Sequence, residues 1–525
     1  MRKKIIANSI VIALGSALSM ALGFGRDILM GAIFGASSEM DAYLVGFLIP
    51  DMIYGLMITG VLAVAFVPFV VECLVQNPQE AKKLGYTILS VVVIALGIIV
   101  IIGEITARWL VLLIAPSFDP STHELATSLM RIALFSLMPL GISGVVAAIL
   151  YAYNDFVATS LARPAFNIVV IVALVMAGMK FGIEGLAIGT VLAALIQLLV
   201  QVPALLHRLG KPKVRLELHQ CYLVKMGSLL WPMMVGTIVA QGNVVVERIL
   251  ASGLTPGSIS ALNYAFRILS IPGVVLGGAI ATSLFPVLSE EAATREAQLL
   301  SRDLSRSLEV LAFMLVPCAI FLLTLSRPIV SLFLQRGAFG IRASEMTATA
   351  LAFYSLGLVP MGINLILSRV FYAFRDAITP MIVTMVYLLI NIAVNVGAVA
   401  PLQHRGLALG YSAAQTVMAI MLVWRLQEKR CISIIPLFRE IGKMGLAGVG
   451  TGLVSWWVYS FLIHSVKFSS RPVIALITFL SIVIGLCFYL GTSILLQIRG
   501  LRWVYRFIGL EKVRALRVKA GQDDR

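Results

Sequence analysis

The chain has 525 residues, of which 60% are apolar and 13% charged, and its mean hydropathy is +0.98. Soluble globular chains are about 45–50% apolar and ~25% charged, so a water-soluble protein is excluded. The formal net charge of +16 would suggest nucleic acid in a soluble protein, but in a membrane protein the positive residues must first be assigned to a side of the bilayer.

The start, Met1-Arg2-Lys3-Lys4 followed by an apolar run, imitates a signal peptide, with Ala17, Ser19 and Ala21 imitating a cleavage site. The run over 5–22 is long for that purpose, and after Gly23-Phe24-Gly25-Arg26-Asp27 it resumes to Phe34. It reads as a retained membrane helix broken at Gly23 and Gly25. A bilayer core takes ~20 helical residues to cross, and on that basis fourteen spans are expected: 5–34, 41–71, 84–114, 123–150, 157–179, 183–206, 221–251, 258–288, 307–326, 345–372, 378–400, 406–427, 440–464 and 472–497. With both termini cytoplasmic, 28 of the 41 lysines and arginines fall on the inner side and 7 on the outer, which sets the orientation. The basic stretch from Arg499, with Trp503, Tyr505 and Phe507 interleaved, reads equally as an interfacial segment on anionic headgroups or as a solvated tail.

An internal repeat is present. A shift of 221 residues places Pro139-Leu140-Gly141-Ile142 on Pro360-Met361-Gly362-Ile363, Tyr151-Ala152-Tyr153-Asn154-Asp155 on Tyr372-Ala373-Phe374-Arg375-Asp376, and Gly185-Leu186-Ala187-Ile188-Gly189 on Gly406-Leu407-Ala408-Leu409-Gly410. Each unit holds six spans, so both enter the membrane with the same orientation. The expected fold is an all-α polytopic membrane protein with two parallel six-helix lobes around a central cavity and two extra C-terminal helices. The expected division is an N-lobe over 1–207, a cytoplasmic linker over 208–220, a C-lobe over 221–430, spans thirteen and fourteen within 431–497, and a basic tail over 498–525.

Charges inside a bilayer cost ~2.5–3.5 kcal/mol each on insertion scales and need a partner or a wet cavity. Arg26 and Asp27 in span one, Asp51 after Pro50 in span two, Glu247 and Arg248 in span seven, and Arg267 five residues before Pro272 in span eight occupy the first two spans of each lobe. Charges and helix breakers at matching places in the two halves point to a transport site. Arginine suits an anionic substrate, because guanidinium offers a planar fork to phosphate and keeps its charge. Other charges have plainer readings. Glu104 and Arg108 are spaced to pair along one helix, Arg131 and Arg369 to snorkel or pair internally, and Asp155 and Asp376 to cap the helices that follow. Asp41 is placed to cap span two. The five cysteines and five histidines are dispersed, without metal-ligand or disulfide spacing, and no hydrolase or ATPase motif occurs.

At these residues the chain resembles the MurJ/MviN family of lipid II flippases, within the multidrug/oligosaccharidyl-lipid/polysaccharide exporter superfamily. The resemblance is carried by Leu22-Gly23-Phe24-Gly25-Arg26-Asp27, Phe34-Gly35, Asp41-Ala42-Tyr43, Ala65-Phe66-Val67-Pro68 and Glu247-Arg248-Ile249-Leu250-Ala251-Ser252. It continues through the run from Gly257 to Arg267, Pro286, Leu288-Ser289 and Gln335-Arg336-Gly337-Ala338-Phe339. It implies a non-enzymatic flippase that moves undecaprenyl-diphosphate-linked peptidoglycan precursor across a bacterial inner membrane by alternating access, serving cell-wall biogenesis and cell shape. Arg26 and Arg267 match family arginines of the central cavity, and Asp27 and Asp41 match acidic positions. Spans thirteen and fourteen match the groove for the lipid tail. The chain departs from the family at Met20, Tyr54 and Gly55, where many members carry arginine, and at Thr59, where many carry an acid.

The resulting expectation is a substrate grip by Arg26, Arg267 and Arg248, with Asp27, Asp41, Asp51 and Glu247 in coupling or gating, and hinges at Gly23, Gly25, Pro50 and Pro272. The driving force expected is membrane potential or ion coupling, with no cofactor beyond a coupling ion. The expected partners are a lipid-linked glycan and membrane lipids, without nucleic acid, and the expected working form is a monomer. Two alternatives stay open, export of another polyprenyl-diphosphate glycan such as an exopolysaccharide unit, or cation/drug antiport. A glycan polymerase or ligase would need catalytic acids on a large outer loop, and the outer loops are short.

Overall fold

The computed structural model describes residues 2–56, 63–210, 241–278, 280, 297–374, 376–429, 434–466 and 470–507. The Arg375 position, the expected linker after Gly210, most of span seven, the end of span eight with Pro286, Thr59 and the tail beyond 507 lie outside these residues. The described elements are helical throughout: α1 (Arg2–Phe34), α2 (Ser38–Gly46), α3 (Leu48–Leu56), α4 (Ala63–Gln76), α5 (Pro78–Ile114), α6 (Pro120–Ala152), α7 (Val157–Ala173) and α8 (Met179–Leu209). Then come α9 (241–252), α10 (Ser258–Pro272), α11 (Ala297–Thr324), α12 (Ser326–Phe333), α13 (Ile341–Ser355) and α14 (Leu358–Ala373). Last are α15 (Ile378–Leu402), α16 (His404–Glu428), α17 (Ile434–Ser465), α18 (Arg471–Leu495) and α19 (Arg499–Phe507).

Among the described residues, 10 helices are long and apolar enough to cross a membrane, with Val157–Leu209 taken as one, and α13 with α14 form an eleventh candidate bent by 48°. This is a multi-span, all-helical membrane fold, as the hydropathy requires. Helices satisfy their own backbone groups, which lipid cannot do. The outward faces carry the apolar excess: Ile98, Ile101, Ile102, Ile105, Trp109 and Leu113 of α5 are all exposed. The buried faces interlock around small clusters. One joins Phe66 and Val70 of α4, Leu84 and Ile88 of α5, Val145 and Ile149 of α6, and Leu205 of α8.

The chain forms two compact units, Met1–Ser260 with Leu334–Ala343, and Ala261–Phe333 with Ser344–Arg525. The break falls at Ser260, so α9, which the sequence assigns to the second lobe, packs in the first unit.

Two expected breaks are corrected. α1 runs unbroken from Arg2 to Phe34 through Gly23 and Gly25; glycine costs a helix interior only ~1 kcal/mol, and lipid gives the backbone no other hydrogen-bond partner. Span two is broken, but at Phe47 between α2 and α3, with Pro50 inside the first turn of α3, where its missing N–H is not needed. Pro272 ends α10 and a π-helical turn, Gly273–Gly277, follows it.

The repeat is visible in matching contacts. α7 and α8 form a hairpin that turns at Gly182 (φ 63, ψ −149), and α15 and α16 turn at Gln403 (φ 52, ψ −135), 221 residues on. A Cβ on Gly185 would stand 2.6 Å from the Ala177 carbonyl, and one on Gly406 2.5 Å from the Ala398 carbonyl, again 221 residues apart. Such close helix approach through small residues is how membrane helices gain packing without a hydrophobic drive. At the other end of each hairpin Arg208 pairs with Asp155 at 3.2 Å, and Lys429 with Asp376 at 2.9 Å.

Asp376 also accepts from the Thr379 N–H at 3.0 Å and so caps α15 as expected. The hydrogen bond from Lys429, with those from the Thr379 N–H and hydroxyl, holds its carboxyl down at about 2. Asp155 makes no such cap; Phe156 precedes α7 without a side-chain bond, and the aspartate serves only the ion pair. The pairing expected between Glu104 and Arg108 is not formed. The cation acting on Glu104 is Arg131 of α6, because the face of α5 that carries Glu104 packs on α6.

Candidate functional site

The first unit gathers its polar side chains along α1, α3, α6, α7 and α8. Arg26 donates to Asp27 Oδ1 from Nε at 3.1 Å and from Nη2 at 2.8 Å, and its Nη1 donates to Asn167 Oδ1 at 3.3 Å. Asn167 in turn donates to the Ser19 carbonyl at 3.1 Å and to Ser19 Oγ at 3.3 Å. The guanidinium is therefore held on three sides while 19% of the side chain stays open. Asp51, exposed on α3, is a further negative charge in its field.

Arg163 lies one turn before Asn167 on the same face of α7. Its Nη1 donates to Tyr54 Oη at 2.9 Å, and its guanidinium lies 5.3 Å from the Tyr54 ring centroid and 5.6 Å from that of Phe166. Gln197 Nε2 donates to the same phenol at 3.0 Å and to Ser143 Oγ at 3.0 Å, and Gln201, one turn further along α8, donates to Ser143 Oγ at 2.7 Å. The amide oxygens of both glutamines are buried without a hydrogen-bond partner among the described residues. Nothing in the sequence around Arg163 marks it as a site residue. It sits near the start of a span, where it counts as an orienting charge, and the phenol it binds comes from α3 and is shared with Gln197 of α8.

Asp41 does not cap its own helix; Ser37 does, accepting from the Met40 N–H. The Asp41 carboxylate is buried and accepts from the Gly257 and Ser260 N–H groups, both at 2.7 Å. It thus caps the start of α10, 216 residues away in sequence. The approach requires Gly257 (φ 91), whose Cβ would collide with the Ala36 carbonyl. Beside it the Ala338 N–H donates to the Ala32 carbonyl at 2.8 Å, which brings 334–343 into the first unit.

Arg248 is 8% exposed; its Nη1 donates to the Ile259 carbonyl at 3.3 Å, and it lies 3.9 Å from Glu247. Arg267 belongs to the second unit, where it is exposed on α10. Its neighbour Phe266 meets Tyr354 and Tyr411 edge-on, with ring centroids 5.8 and 5.4 Å away. The structure thus brings together Arg26, Asp27 and Asp51 at one place, and Asp41 with Arg248 at another. A Cβ on Gly23 would stand 3.8 Å from the Asn167 amide, and one on Gly25 would meet open space. Among the described residues no group of His, Cys, Asp or Glu has the arrangement of a metal site. Guanidinium groups in fixed geometry, beside spare amide acceptors and phenols, are equipped to hold a phosphorylated, hydroxyl-rich molecule by hydrogen bonds.

Comparison with known proteins gives a consistent picture. The sequence matches the family model "Lipid II flippase MurJ" over residues 30–474. It is 28% identical to a lipid II flippase MurJ of Burkholderia cenocepacia over 455 residues, covering 85% of this chain and 88% of that one. It is 29% identical to a probable lipid II flippase MurJ of Buchnera aphidicola over 432 residues, covering 81% and 84%. Among solved structures it superposes on a lipid II flippase MurJ in an inward closed conformation with TM-score 0.79 at 23% identity, over 95% of this chain and 99% of that one. A multidrug resistance MATE family transporter of the MOP superfamily in an inward-facing conformation shares the fold with TM-score 0.67 at 16% identity, over 78% and 94%.

Proposed function

Since the chain belongs to the lipid II flippase MurJ family and moves lipid II across the membrane by alternating access, we propose that the α1–α7 face of the first unit grips the substrate diphosphate. The observation that carries this reading is the Arg26 guanidinium, fixed by Asp27 and Asn167 yet partly open. A side chain already ordered loses less entropy when it binds, and a fork of N–H donors meets phosphate oxygens two at a time.

Arg163 shares the task. It brings a cation to Tyr54, the place where many family members carry arginine on span two itself, so a charge absent from one helix is supplied by another. This favours a diphosphate substrate over a lipophilic cation, and a lipid-linked peptidoglycan precursor over the alternatives. Arg267, exposed on α10 in the second unit, is a substrate-binding arginine of that unit. Arg248, buried and bonded to the Ile259 carbonyl, acts as a positioning residue for the start of α10 alongside Asp41. Breaking the Asp41 cap frees that end of α10 for the conformational change, and the π-turn after Pro272 provides the bend. Asp27, Asp51 and Glu247 balance the arginines and carry the coupling. Membrane potential supplies the drive, at about 2.3 kcal/mol per charge per 100 mV. The exposed apolar face of α17 and α18, with Leu453, Trp456, Trp457 and Phe479, takes the polyprenyl chain. Both termini are cytoplasmic, and the protein works as a monomer in a bacterial inner membrane.

Complementation of a strain depleted of its own lipid II flippase tests the site. Wild type is expected to restore growth, Arg26→Ala to fail at normal membrane abundance, and Arg26→Lys to restore it partly. Full rescue by Arg26→Ala would overturn the assignment of the grip.

A further inference from the structure

Outside the transport site, the second unit holds a cavity of about 250 Å³ between the starts of α11, α17 and α19. Three arginines line it: Arg302 and Arg306 from α11 and Arg499 from α19. Arg306 is fixed, by Asp303 at 3.1 Å and by the Trp503 ring, whose centroid lies 4.2 Å from its guanidinium. The one carboxylate in the lining, Glu309, is buried and accepts from Trp503 Nε1 at 3.2 Å. The side chains of Arg302 and Arg499 make no hydrogen bond or ion pair with any described residue. Glu309 lies in the field of Arg306 and Arg499 and Asp303 pairs with Arg306, so two carboxylates offset three guanidinium groups and the lining keeps a net positive charge that an anion would balance.

The cavity wall is built, not incidental. Glu440, itself buried, accepts from the Arg499 N–H at 2.9 Å and so fixes the start of α19. Leu501 is buried in a core with Phe313, Met444 and Tyr489, which anchors α19 against α11 and α17 and leaves Arg499 and Arg502 exposed. Trp503 presents a ring of the type enriched at membrane interfaces. Ser305, Pro436 and Leu437 complete the lining, and Ile435 beside them is exposed. The cavity lies just below the ~300–1,000 Å³ of sites for drug-sized molecules, which suits a headgroup and excludes a peptidoglycan precursor.

We propose that this cavity binds the phosphodiester headgroup of an anionic phospholipid, with Arg302 and Arg499 as its donors and the acyl chains running along the apolar ends of α11 and α17. Basic pockets between membrane helices bind headgroups in this way. A free phosphate shares the chemistry but would gain nothing from the apolar rim. The proposal does not depend on which substrate the transporter carries, so its failure would leave the flippase reading untouched.

The test is titration of the purified full-length protein in neutral detergent with short-chain phosphatidylglycerol. Arg302→Ala/Arg499→Ala is expected to weaken binding about thirtyfold, on the scale of ~1 kcal/mol per basic residue. Both side chains are exposed, so the double variant removes no core packing and should melt as wild type does. Arg302→Lys/Arg499→Lys should retain most of the binding. Phosphatidylcholine of equal chain length is expected to bind much more weakly. Wild-type affinity in the double alanine variant, or equal affinity for phosphatidylcholine, would overturn the site. Displacement of the lipid by inorganic phosphate at millimolar concentration would overturn its assignment to lipid.

Discussion

The hairpin of α7 and α8 and the hairpin of α15 and α16 share a turn, a glycine contact and an ion pair at equivalent positions, yet only the first carries the arginine network. Gly182 corresponds to Gln403, Gly185 to Gly406, Asp155 with Arg208 to Asp376 with Lys429. By contrast Ser143, which receives two glutamine amides, corresponds to Asn364, which donates to Gln415 Oε1 at 2.7 Å and to the Gln415 carbonyl at 2.9 Å. Duplication has kept what closes a hairpin and released the polar network from which the proposed grip is built. The turn and the ion pair are constrained by backbone geometry in both copies, whereas an asymmetric substrate needs its anionic group recognised in one place.

That contrast can be broken most severely at the unduplicated network. Arg163→Ala should lower apparent affinity for lipid II by about 10–100-fold, the value of a charge-assisted hydrogen bond of ~1.5–3 kcal/mol, read from binding to purified protein. A loss no greater than that from substituting Lys83, which pairs with Glu80 on α5 of the same unit, would remove Arg163 from the site. Next in size, Gly182→Gln should destabilise the first hairpin by about 1–3 kcal/mol, because it forces a side chain into positive φ, seen as a lower unfolding midpoint in detergent. The mirror substitution, Gln403→Gly, relieves the same strain and should raise the midpoint, worth up to ~1 kcal/mol. If the two changes shift stability in the same direction, the turns are not equivalent.

The smallest effect belongs to the ion pairs, since partly exposed pairs are worth ~0–1 kcal/mol. Asp376 sits at about 2, below its ordinary 3.8, so its contribution is complete above about pH 4 and is lost as pH falls toward 2. Asp376→Asn should flatten the pH dependence of the unfolding midpoint in that window. Asp155→Asn should cost less than Asp376→Asn at neutral pH, because Asp155 makes no cap.

Much of the scaffold was legible because lipid imposes it: apolar runs of spanning length, and a repeat with a constant offset. Arg26 and Asp27 were legible for the same reason, since two charges in an apolar run need an explanation. Three things were not. The continuity of α1 through Gly23 and Gly25 depends on there being no competing partner for the backbone, which overrides glycine propensity. Arg163 looks like a boundary charge until Tyr54 and Gln197 arrive from other helices. Asp41 looks like a local cap, and its true partners are the N–H groups of Gly257 and Ser260, which no spacing rule connects to it.

The backbone bond from Ala338 to Ala32 has a consequence for biosynthesis. The first unit is not complete when residue 260 leaves the ribosome, because it still lacks 334–343. At about 5–20 residues per second, the intervening stretch takes ~4–16 s to make. For that interval the seam at Gly35 and Gly337 stands open within an inserted bundle, and an insertase or chaperone that shields it would act before the last spans are threaded.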